Sequence, residues 1–374
     1  MAKERSITFI VTKDCQLFCK YCYLVGKNVH ERMSFDVAKK AIDKILSVPS
    51  LFPEERVVWD FIGGEPLLEI DLISDIVHYI FKQLGTLNHH WNGKCGIRIT
   101  TNGILYNAKK VQDFINKYHD ILNISISIDG TKQKQDLNRI FPNGRGSYDI
   151  VSKNVSLWVT QFDNVATKMV ISSEDLPYVA ESGIHLLELG IKRLDMNLVV
   201  EDVWQEGDDT ILEEQLIEFA DNVIERNLYV GRKLFIFEEC IGNPFNPNFE
   251  SNPCGSMMLA VDSSGHFYTC PRFAKYSLRS KSPRFIGNIE EGFNHNLIRP
   301  FYVIDELSQS PLKCQLCEVA TGCRWCPAEN YDSSVTASIF DRSTAICKMH
   351  KARVRAKNYY WNKLKLVKEN GTNN

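Results

Sequence analysis

The stretch Thr12-Lys-Asp-Cys-Gln-Leu-Phe-Cys-Lys-Tyr-Cys-Tyr23 places three cysteines, Cys15, Cys19 and Cys22, directly after a short apolar run. Three thiolates can hold three irons of a 4Fe–4S cube and leave the fourth iron open, and thiolate is the usual ligand of such clusters. A closed structural zinc site would need a fourth ligand nearby, but the next cysteine is Cys95. The stretch therefore predicts a cluster with one vacant iron, at which a small molecule binds and reacts.

A purely structural explanation of the three cysteines is also available. Positions i, i+4 and i+7 share one face of a helix, and free cysteines are commonly buried on such faces. The charged residues Lys13, Asp14 and Lys20 interrupt this stretch, which makes a buried helix face a poor explanation. We therefore favour metal ligation.

Length and composition limit the class of protein. The chain has 374 residues, which predicts one large domain and a smaller one. Its 44% hydrophobic and 24% charged residues are ordinary for a globular protein, and a formal net charge of -2 gives no electrostatic case for nucleic-acid binding. The sequence has no membrane-spanning apolar run and no signal-peptide pattern, so we expect a cytoplasmic protein. In a reducing compartment its twelve cysteines are expected to be metal ligands rather than disulfides.

Strand-like and helix-like stretches alternate between residues 6 and 226. The predicted strands are 6–11, 57–62, 96–101, 121–128, 165–171 and 192–200, and the predicted helices are 34–46, 71–84, 108–118, 147–160, 175–189 and 210–226. This alternation predicts parallel βαβ units, which are too few for a complete eight-unit barrel. Periodicity alone leaves a partial barrel and a doubly wound open sheet as equal alternatives. In both folds ligands bind at the carboxyl ends of the strands.

The spacing Cys-x3-Cys-x-Tyr-Cys, with Tyr21 as the aromatic residue, resembles the motif of radical S-adenosylmethionine (SAM) enzymes. This resemblance implies an α/β fold with a partial (β/α)6 barrel and a SAM-binding cluster at the three cysteines. Other residues at the predicted strand ends resemble segments that line the SAM pocket in that family. They are Gly63, Gly64, Glu65 and Pro66 after the second strand, Asn102 after the third, Ser127 and Asp129 after the fourth, Arg139 ten residues beyond Asp129, and Leu198 at the sixth.

The resemblance also implies roles for some of these residues. The Gly-Gly-Glu motif holds the methionine amino group of SAM, Arg139 faces the SAM carboxylate, and Leu198 flanks the adenine. Each position has a simpler explanation that the sequence leaves open. An isolated Gly-Gly pair is usually a turn, Arg139 is equally a surface arginine, and Leu198 is equally a part of the barrel wall.

The C-terminal part of the chain contains a second, denser group of cysteines. They are Cys254, Cys270, Cys314, Cys317, Cys323, Cys326 and Cys347, and Gly265 lies five residues before Cys270. This pattern resembles the SPASM domain, although two residues separate Cys323 from Cys326 where that domain has three. A zinc ribbon, for which two cysteine pairs would serve, is the alternative.

The SPASM resemblance implies two auxiliary 4Fe–4S clusters. Auxiliary cluster II would be held by Cys314, Cys317, Cys323 and Cys347, and auxiliary cluster I by Cys254, Cys270 and Cys326, with Cys240 as a candidate fourth ligand. Alternatively, the fourth iron of cluster I is open to a substrate thiolate. The implied cofactors are thus three 4Fe–4S clusters and SAM. The implied domains are a radical SAM barrel (1–235), a cysteine-rich SPASM domain (236–350) and a C-terminal helix or tail (351–374), with turn-forming residues 243–253 at the first boundary.

Enzymes of this family with a SPASM domain mostly modify peptides. The expected function is a maturase that uses a 5′-deoxyadenosyl radical to abstract hydrogen from a ribosomally made peptide and form a crosslink, either a thioether from Cys sulfur to carbon or a carbon–carbon link. The alternatives are oxidation of Ser or Cys to formylglycine, as in anaerobic sulfatase maturases, and peptide epimerisation. Sulfatase maturases carry an aspartate base after the cysteine matching Cys270, where this chain has Pro271 and Arg272. A non-catalytic iron–sulfur electron-transfer protein or zinc scaffold is the alternative from another class.

The resemblance implies several partners. They are a cysteine-containing precursor peptide and an electron donor such as flavodoxin or ferredoxin, with no nucleic acid and no membrane. The first predicted strand starts at Ser6, so we expect the N-terminal peptide-recognition domain of many relatives to be absent. A separate leader-binding protein, or direct binding of the peptide to the barrel, would replace it. No catalytic acid or base is assigned, and position alone singles out Tyr23, Glu238, Glu239 and Arg272. The acidic stretch 201–209 is predicted to be a solvated loop, and 348–368 a helix.

Overall fold

The computed structural model describes residues 4–245 and 257–371. Strands and helices alternate in its first part, as the sequence predicts. The strands there are β1 (Glu4–Thr12), β2 (Arg56–Gly63), β3 (Cys95–Thr101), β4 (Leu122–Ile126), β5 (Ala166–Ile171) and β6 (Arg193–Leu198). The helices are α1 (Phe35–Leu46), α2 (Ile70–Thr86), α3 (Lys109–Tyr118), α4 (Lys132–Asn138), α5 (Tyr148–Gln161), α6 (Val179–Glu188) and α7 (Asp208–Glu225).

Smaller elements follow in the C-terminal part. The strands are β7 (Lys233–Leu234), β8 (Met258–Val261), β9 (His266–Tyr268), β10 (Gly287–Asn288) and β11 (Gly292–Phe293), and the helices are α8 (His295–Tyr302), α9 (Leu312–Gln315), α10 (Pro327–Ser333) and α11 (Cys347–Gly371). Short 3-10 helices occupy Pro49–Leu51, Pro66–Glu69, His119–Ile121, Ser173–Tyr178, Phe235–Phe237, Pro271–Phe273 and Lys275–Ser277. No helix within the described ranges has both the length and the apolar character needed to cross a membrane.

The strands of the barrel are parallel and curve around one core. Strands β1 to β4 lie side by side in sequence order, and β5, β6 and β7 form a second sheet. Two hydroxyls join the sheets across the gap, because Ser125 on β4 donates to the carbonyl of Ala166 at 2.6 Å and Thr167 on β5 donates to the carbonyl of Ile126 at 2.6 Å. The predicted partial (β/α)6 barrel is confirmed, and the open doubly wound sheet is not the fold.

Apolar side chains on both faces of the strands explain why these strands are central. Strand β1 is buried from Ile7 to Thr12, as expected for a parallel strand covered on both sides. Phe9 lies opposite Phe61 in the ladder, and their rings stack at 5.8 Å. On the outside, Ser34 caps α1 by accepting from the Val37 amide at 3.2 Å, as the sequence predicts. The helix then buries an apolar face against the sheet.

The fifth predicted helix, 175–189, begins differently from expectation. Residues Ser173–Tyr178 form a 3-10 helix, and α6 starts only at Val179. Pro177 lies inside this turn and cannot donate a backbone hydrogen bond, while Ser172 and Asp175 form a capping box at its start. The short polar helix α4 was not among the predicted elements, because its sequence lacks an apolar face.

The C-terminal strands extend the sheet of the barrel. Strand β8 pairs in parallel with β1, with Phe9 opposite Val261, and β9 to β11 continue outward from β8 as antiparallel strands. Helix α11 packs along α7 of the barrel, where Lys363 pairs with Asp221 at 2.7 Å. This helix starts at Cys347, so the predicted boundary between 350 and 351 falls inside one helix.

Candidate active site and cysteine groups

The three cysteines of the first motif lie on the loop that follows β1. The Cys15 amide donates to the side-chain oxygen of Asn28 at 2.8 Å, and the Cys22 amide donates to the carbonyl of Cys19 at 3.2 Å. Burial raises the pKa of the Cys15 thiol to about 12, with a further contribution from nearby Glu65, and burial also raises the pKa of Cys19. Since a buried thiolate needs a compensating positive charge, these thiols suit the ligation of iron.

The two glycines after β2 allow the strand end to lie against this cysteine loop. A Cβ atom on Gly63 would lie 2.4 Å from the carbonyl oxygen of Thr12, and one on Gly64 would lie 2.2 Å from that of Asp14. The Gly64 amide donates to the Thr12 carbonyl at 2.9 Å. The Gly-Gly pair is therefore required by the contact between β2 and the cysteine loop, in addition to any contact with a ligand.

Glu65 is buried at the junction of three strand ends. Its carboxylate accepts hydrogen bonds from the Thr101 hydroxyl at 2.6 Å, the Asn102 amide at 2.7 Å and the Leu67 amide at 3.0 Å. Burial raises its pKa to about 7. Pro66, the next residue, opens the 3-10 helix Pro66–Glu69. A carboxylate fixed in this way can pair with an ammonium group only when it is ionised.

Asn102 connects the end of β3 to the cysteine loop. Its side-chain amide donates to the Cys15 sulfur at 3.5 Å and to the Gln16 side-chain oxygen at 3.2 Å. Ser127, at the end of β4, donates from its amide to the carbonyl of Thr101 at 2.8 Å. Leu198 is buried at the end of β6, opposite Ile171 of β5. The predicted pocket residues therefore lie at the carboxyl ends of their strands.

Tyr21, Asp129 and Arg139 form a buried network behind the cysteine loop. The Tyr21 hydroxyl donates to the Asp129 carboxylate, and Arg139 donates to the same carboxylate at 2.9 and 3.3 Å. The Arg139 guanidinium holds the pKa of Asp129 below its usual value despite complete burial, which alone would raise it. The alternative of a surface Arg139 is wrong, since the residue is buried.

The residues on either side of Arg139 hold the backbone of the cysteine loop. The Phe18 amide donates to the carbonyl of Ile140 at 2.6 Å, and the Lys20 amide donates to that of Asn138 at 3.1 Å. Asp129 further accepts from the Val170 amide at 3.0 Å. Tyr21, Asp129 and Arg139 thus connect the cysteine loop to β4, α4 and β5.

Four of the C-terminal cysteines line one cavity. Its volume is about 170 Å³, and its walls include Cys314, Cys317, Cys323 and Cys347, the four predicted for auxiliary cluster II. Arg342 also lines the cavity, donates to the Cys323 carbonyl at 3.1 Å and lies near the ring of Trp325. A cavity lined by four thiols fits a cluster with four protein ligands.

Cys270 and Cys326 face a different neighbour, the loop that carries Cys22. The guanidinium of Arg272 lies 5.2 Å from the centre of the Tyr23 ring. Burial raises the pKa of Tyr23, and Cys22 and Cys270 both lie close enough to add to that rise. Cys326 in turn lies close enough to Arg272 to favour the charged guanidinium. The two cysteines therefore lie near the mouth of the barrel, and Cys254 falls outside the described residues.

Cys240 is exposed and lies beside the loop between Cys317 and Cys323. Its carbonyl accepts from the Thr321 hydroxyl at 2.8 Å, and Arg353 lies within electrostatic range of both Cys240 and Cys323. This position puts Cys240 next to the second group of cysteines, and its role as a ligand beside Cys270 and Cys326 stays a prediction.

Sequence reasoning missed a charged cluster at the barrel mouth. Arg272 donates to Glu201 and lies 3.8 Å from Glu329, while Arg279 pairs with Glu329 at 2.7 Å and with Asp332 at 2.9 Å. The predicted solvated loop 201–209 extends only to Gly207, because α7 begins at Asp208, and Glu201 within it is half-buried against Arg272. The position of Glu201 three residues after β6, at the ligand-binding edge, was the available signal.

Comparison with known proteins identifies the family of the chain. The model of the radical SAM superfamily matches residues 9–197, just over half of the chain. The protein therefore belongs to the radical SAM superfamily and is an enzyme.

The curated relatives match only in part. An uncharacterised protein of Methanocaldococcus jannaschii is 32% identical over 197 residues, which are 50% of this chain and 60% of that protein. A cysteine-type anaerobic sulfatase-maturating enzyme of Clostridium novyi is 29% identical over 149 residues, 39% of this chain and 38% of that enzyme. The chain thus spans less than two thirds of the length of these relatives.

Solved structures match over almost the whole chain. The match to the structure of anSMEcpe with bound AdoMet has a TM-score of 0.67 at 19% identity. It covers 98% of this chain and 99% of the anSMEcpe chain. The match to Streptococcus suis SuiB bound to precursor peptide SuiA has a TM-score of 0.62 at 14% identity. It covers 92% of this chain and 76% of the SuiB chain. The predicted radical SAM fold with a SPASM-type cysteine-rich region is confirmed.

Proposed function

We propose that the protein is a peptide maturase that abstracts hydrogen from a ribosomally made, cysteine-containing peptide and forms a crosslink, with a thioether from Cys sulfur to carbon favoured over a carbon–carbon link. Peptide-bound structures among its structural neighbours, SuiB with precursor peptide SuiA and anSMEcpe with the Cp18Cys peptide, support a peptide substrate. The cytoplasm, where thiols stay reduced, is the expected compartment.

The observation that carries the proposal is the contact between Tyr23 and Arg272. Tyr23 directly follows Cys22, and Arg272 lies two residues after Cys270. A peptide bound at this contact would lie between the first cysteine motif and the C-terminal cysteines. Oxidative crosslinking needs a site of hydrogen abstraction and a nearby acceptor of the remaining electron. In this proposal the first cysteine motif serves the abstraction, and the C-terminal cysteines on the other side of the contact hold the acceptor.

When bound, SAM and its cluster supply a 5′-deoxyadenosyl radical that can take hydrogen from an unactivated C–H bond. The residues of the chain bind SAM and the peptide, orient them and enclose the reacting groups. In this proposal Glu65 pairs with the SAM ammonium, and Asn102 keeps the Cys15 loop in place. The Arg272 pair with Glu201 keeps a charged guanidinium at the mouth and restricts the entry of water.

We further propose that Cys15, Cys19 and Cys22 hold the SAM-binding cluster and that two auxiliary clusters lie in the C-terminal part. Their ligands would be Cys314, Cys317, Cys323 and Cys347 for cluster II, and Cys254, Cys270 and Cys326, with Cys240 as a candidate, for cluster I. The cavity lined by Cys314, Cys317, Cys323 and Cys347 supports cluster II. Iron analysis tests this: Cys323→Ala should lose one cluster's iron, while Cys95→Ala should lose none.

Oxidation of Ser or Cys to formylglycine is the second candidate. It is favoured by the similarity to the Clostridium novyi sulfatase-maturating enzyme and to the anSMEcpe fold. The residues after Cys270 count against it, since Pro271 cannot act as a base and Arg272 is held as a cation by Glu201. Crosslinking therefore remains the first proposal.

Intact-mass measurement tests the function. Anaerobic enzyme, SAM and reductant are mixed with a cysteine-rich peptide encoded beside it. A loss of two hydrogens per site with a thiol that no longer reacts with iodoacetamide is expected for a thioether. The same mass loss with free thiols would indicate a carbon–carbon link. Conversion of a Cys or Ser to an aldehyde would favour formylglycine formation, and deuterium uptake without a mass loss would favour epimerisation.

Two protein partners follow from the proposal. A separate leader-binding protein would present the peptide, and a flavodoxin or ferredoxin would exchange electrons. Copurification of the enzyme with the product of a neighbouring small gene would test the first, and SAM cleavage with reduced flavodoxin in place of dithionite would test the second.

A further inference from the structure

Asp60 on β2 faces the interior of the barrel. In the strand ladders it lies opposite Thr8 of β1 and Arg98 of β3, so the three side chains point to the same side of the sheet. Lys168 lies on β5, three strands away from β2, yet its ammonium is close enough to favour the charged form of Asp60. Strands that far apart approach each other only across the interior, so the Asp60 side chain points into it.

One oxygen of this carboxyl lacks a hydrogen-bond partner. The Thr8 hydroxyl donates to Oδ2 at 3.1 Å, whereas Oδ1 is buried and meets no donor among the described residues. No other buried carboxylate oxygen within residues 4–245 and 257–371 is in this state. Because an unpaired buried acceptor costs about 1–3 kcal/mol, a donor from a bound molecule would stabilise this arrangement. Asp60 as a whole is partly exposed, so such a donor can reach the carboxyl.

The other acids around the barrel mouth already have partners. Glu201 and Glu329 pair with arginines of the C-terminal part, and Asp129 pairs with the arginine that follows α4. Glu65 accepts three hydrogen bonds and, in the proposed function, pairs with the ammonium group of SAM. Asp60 is the acid that remains available to a substrate.

The surroundings of Asp60 make it a stronger base than an ordinary aspartate. Burial raises the pKa of its carboxyl, although Arg98, Lys168 and the Thr8 hydroxyl each favour the charged form. Tyr23, which belongs to the proposed peptide-binding contact, lies close enough for the charge on Asp60 to add to the rise of its pKa. The base therefore lies near the proposed position of the peptide, as proton transfer requires.

Thioether formation leaves one proton for the chain to accept. Joining an S–H group to a C–H group sends a hydrogen atom to the 5′-deoxyadenosyl radical and one electron to the acceptor that the C-terminal cysteines hold in the proposed function. The proton of the thiol is the remaining product. A thiol with its ordinary pKa of about 8.5 is mostly protonated at neutral pH, so a base is needed to remove this proton.

We propose that Asp60 takes the proton of the substrate cysteine thiol inside the barrel. The inference rests on the proposed function, because it assumes a cysteine substrate. In this step the S–H bond breaks and an O–H bond forms on the carboxylate, with no change in the oxidation state of either group. Oδ1, which meets no donor in the protein, accepts the hydrogen bond from the thiol before the proton moves.

The rate of crosslinking as a function of pH tests the assignment, with the cysteine-rich peptide encoded beside the enzyme as substrate. Asp60→Asn can still accept from Thr8 and should slow crosslinking by about 100-fold or more at pH 7, while deoxyadenosine still forms. From pH 7 to pH 8 its rate should rise about tenfold, because the thiol then ionises unaided. The wild type should change less over this range and lose activity at lower pH, as Asp60 becomes protonated. Asp60→Glu should recover part of the rate.

Asp195→Asn is the matched control, since Asp195 lies on β6 and pairs with Arg193 at 2.9 Å. It should crosslink within about twofold of the wild type. Fluorescence anisotropy of the labelled peptide should show binding to Asp60→Asn within about threefold of the wild type, because the lost group acts on the proton. A normal rate at pH 7 in Asp60→Asn, a slow rate that stays slow at pH 9, or equal losses in both variants would overturn the role of Asp60 alone. No crosslinking by the wild type would count against the proposed function, and the role of Asp60 would fall with it.

Discussion

Arg272 lies over the ring of Tyr23, with its guanidinium carbon 5.2 Å from the ring centre. These two residues are far apart in sequence, and each lies within two residues of a cysteine that the sequence predicts to be a metal ligand. A cation over an aromatic face contributes about 0.5–2 kcal/mol, depending on how well water is excluded. The contact therefore joins the cysteine loop of the barrel to the C-terminal cysteine-rich part, where we propose that the peptide binds.

Arg272→Gln should uncouple peptide modification from SAM cleavage. The change removes the cation over Tyr23 and leaves Glu201 and Glu329 without it. We expect crosslinking to slow by about tenfold or more, because the mouth no longer holds the peptide in a reactive geometry, while deoxyadenosine still forms. Quantifying both products by liquid chromatography checks this. Arg279→Gln is the control, because Arg279 also pairs with Glu329 but is more exposed than Arg272. An equal loss of crosslinking in both variants would contradict a specific role of Arg272.

Gly64→Ala should disrupt the SAM-binding cluster. The new Cβ would lie 2.2 Å from the Asp14 carbonyl oxygen, so the cysteine loop has to move. We expect reduced iron content and weak SAM binding with the secondary structure retained. Gly85→Ala is the matched control, because its Cβ meets no atom within 4 Å. In helix α2 that change should stabilise the protein by about 0.5–1 kcal/mol. Normal SAM binding in Gly64→Ala would contradict the predicted role of the contact.

Asp129→Asn should destabilise the protein strongly. The substitution leaves Arg139 as a buried cation without its counter-ion, which costs about 3–5 kcal/mol. Asp149→Asn is the control, since Asp149 pairs with Lys132 at 2.6 Å on the surface and is 73% exposed. Loss of such an exposed pair costs about 1 kcal/mol or less. Anaerobic thermal melting compares the two, and similar melting temperatures would argue against the buried network as a major stabilising feature.

Binding of SAM should depend on pH through Glu65. Burial raises the pKa of this carboxyl to about 7, so at lower pH it is mostly neutral and cannot pair with an ammonium group. Affinity for SAM should therefore rise with pH, by about tenfold between pH 6 and pH 8, since a pKa near 7 leaves about one tenth of the carboxyl ionised at pH 6. Equilibrium dialysis with labelled SAM measures this. Glu65→Gln should bind weakly at every pH, and an unchanged pH dependence in that variant would exclude Glu65 as its source.

Local sequence patterns were sufficient to predict the alternating strands and helices, and the resemblance of the cysteine motif then favoured the barrel over an open sheet. The strands from β1 to β6 are marked by apolar runs, and Ser34 marks the start of α1, because these signals act over a few residues. The first cysteine motif was equally clear from its spacing. Pairing of β8 with β1 could not be predicted, since it joins segments some 250 residues apart through backbone hydrogen bonds that carry no sequence signal.

The charged residues of the site were harder to predict than its cysteines. Arg139 appeared equally suited to the surface, and its burial depends on Asp129 and Tyr21, which come together only in the folded barrel. Glu201 stands in an acidic stretch, and nothing in that stretch identifies Arg272 as its partner. Side chains that pair across distant segments leave no periodic pattern, whereas cysteine ligands leave a spacing.

The most direct test of the central claim is the formation of 5′-deoxyadenosine from SAM under anaerobic, reducing conditions. The wild-type enzyme is compared with Cys19→Ala and with Cys95→Ala, a change of the same size at a cysteine outside both predicted groups. We predict deoxyadenosine from the wild type and from Cys95→Ala, and none from Cys19→Ala. No deoxyadenosine from the wild type, or an undiminished amount from Cys19→Ala, would contradict radical SAM chemistry at Cys15, Cys19 and Cys22.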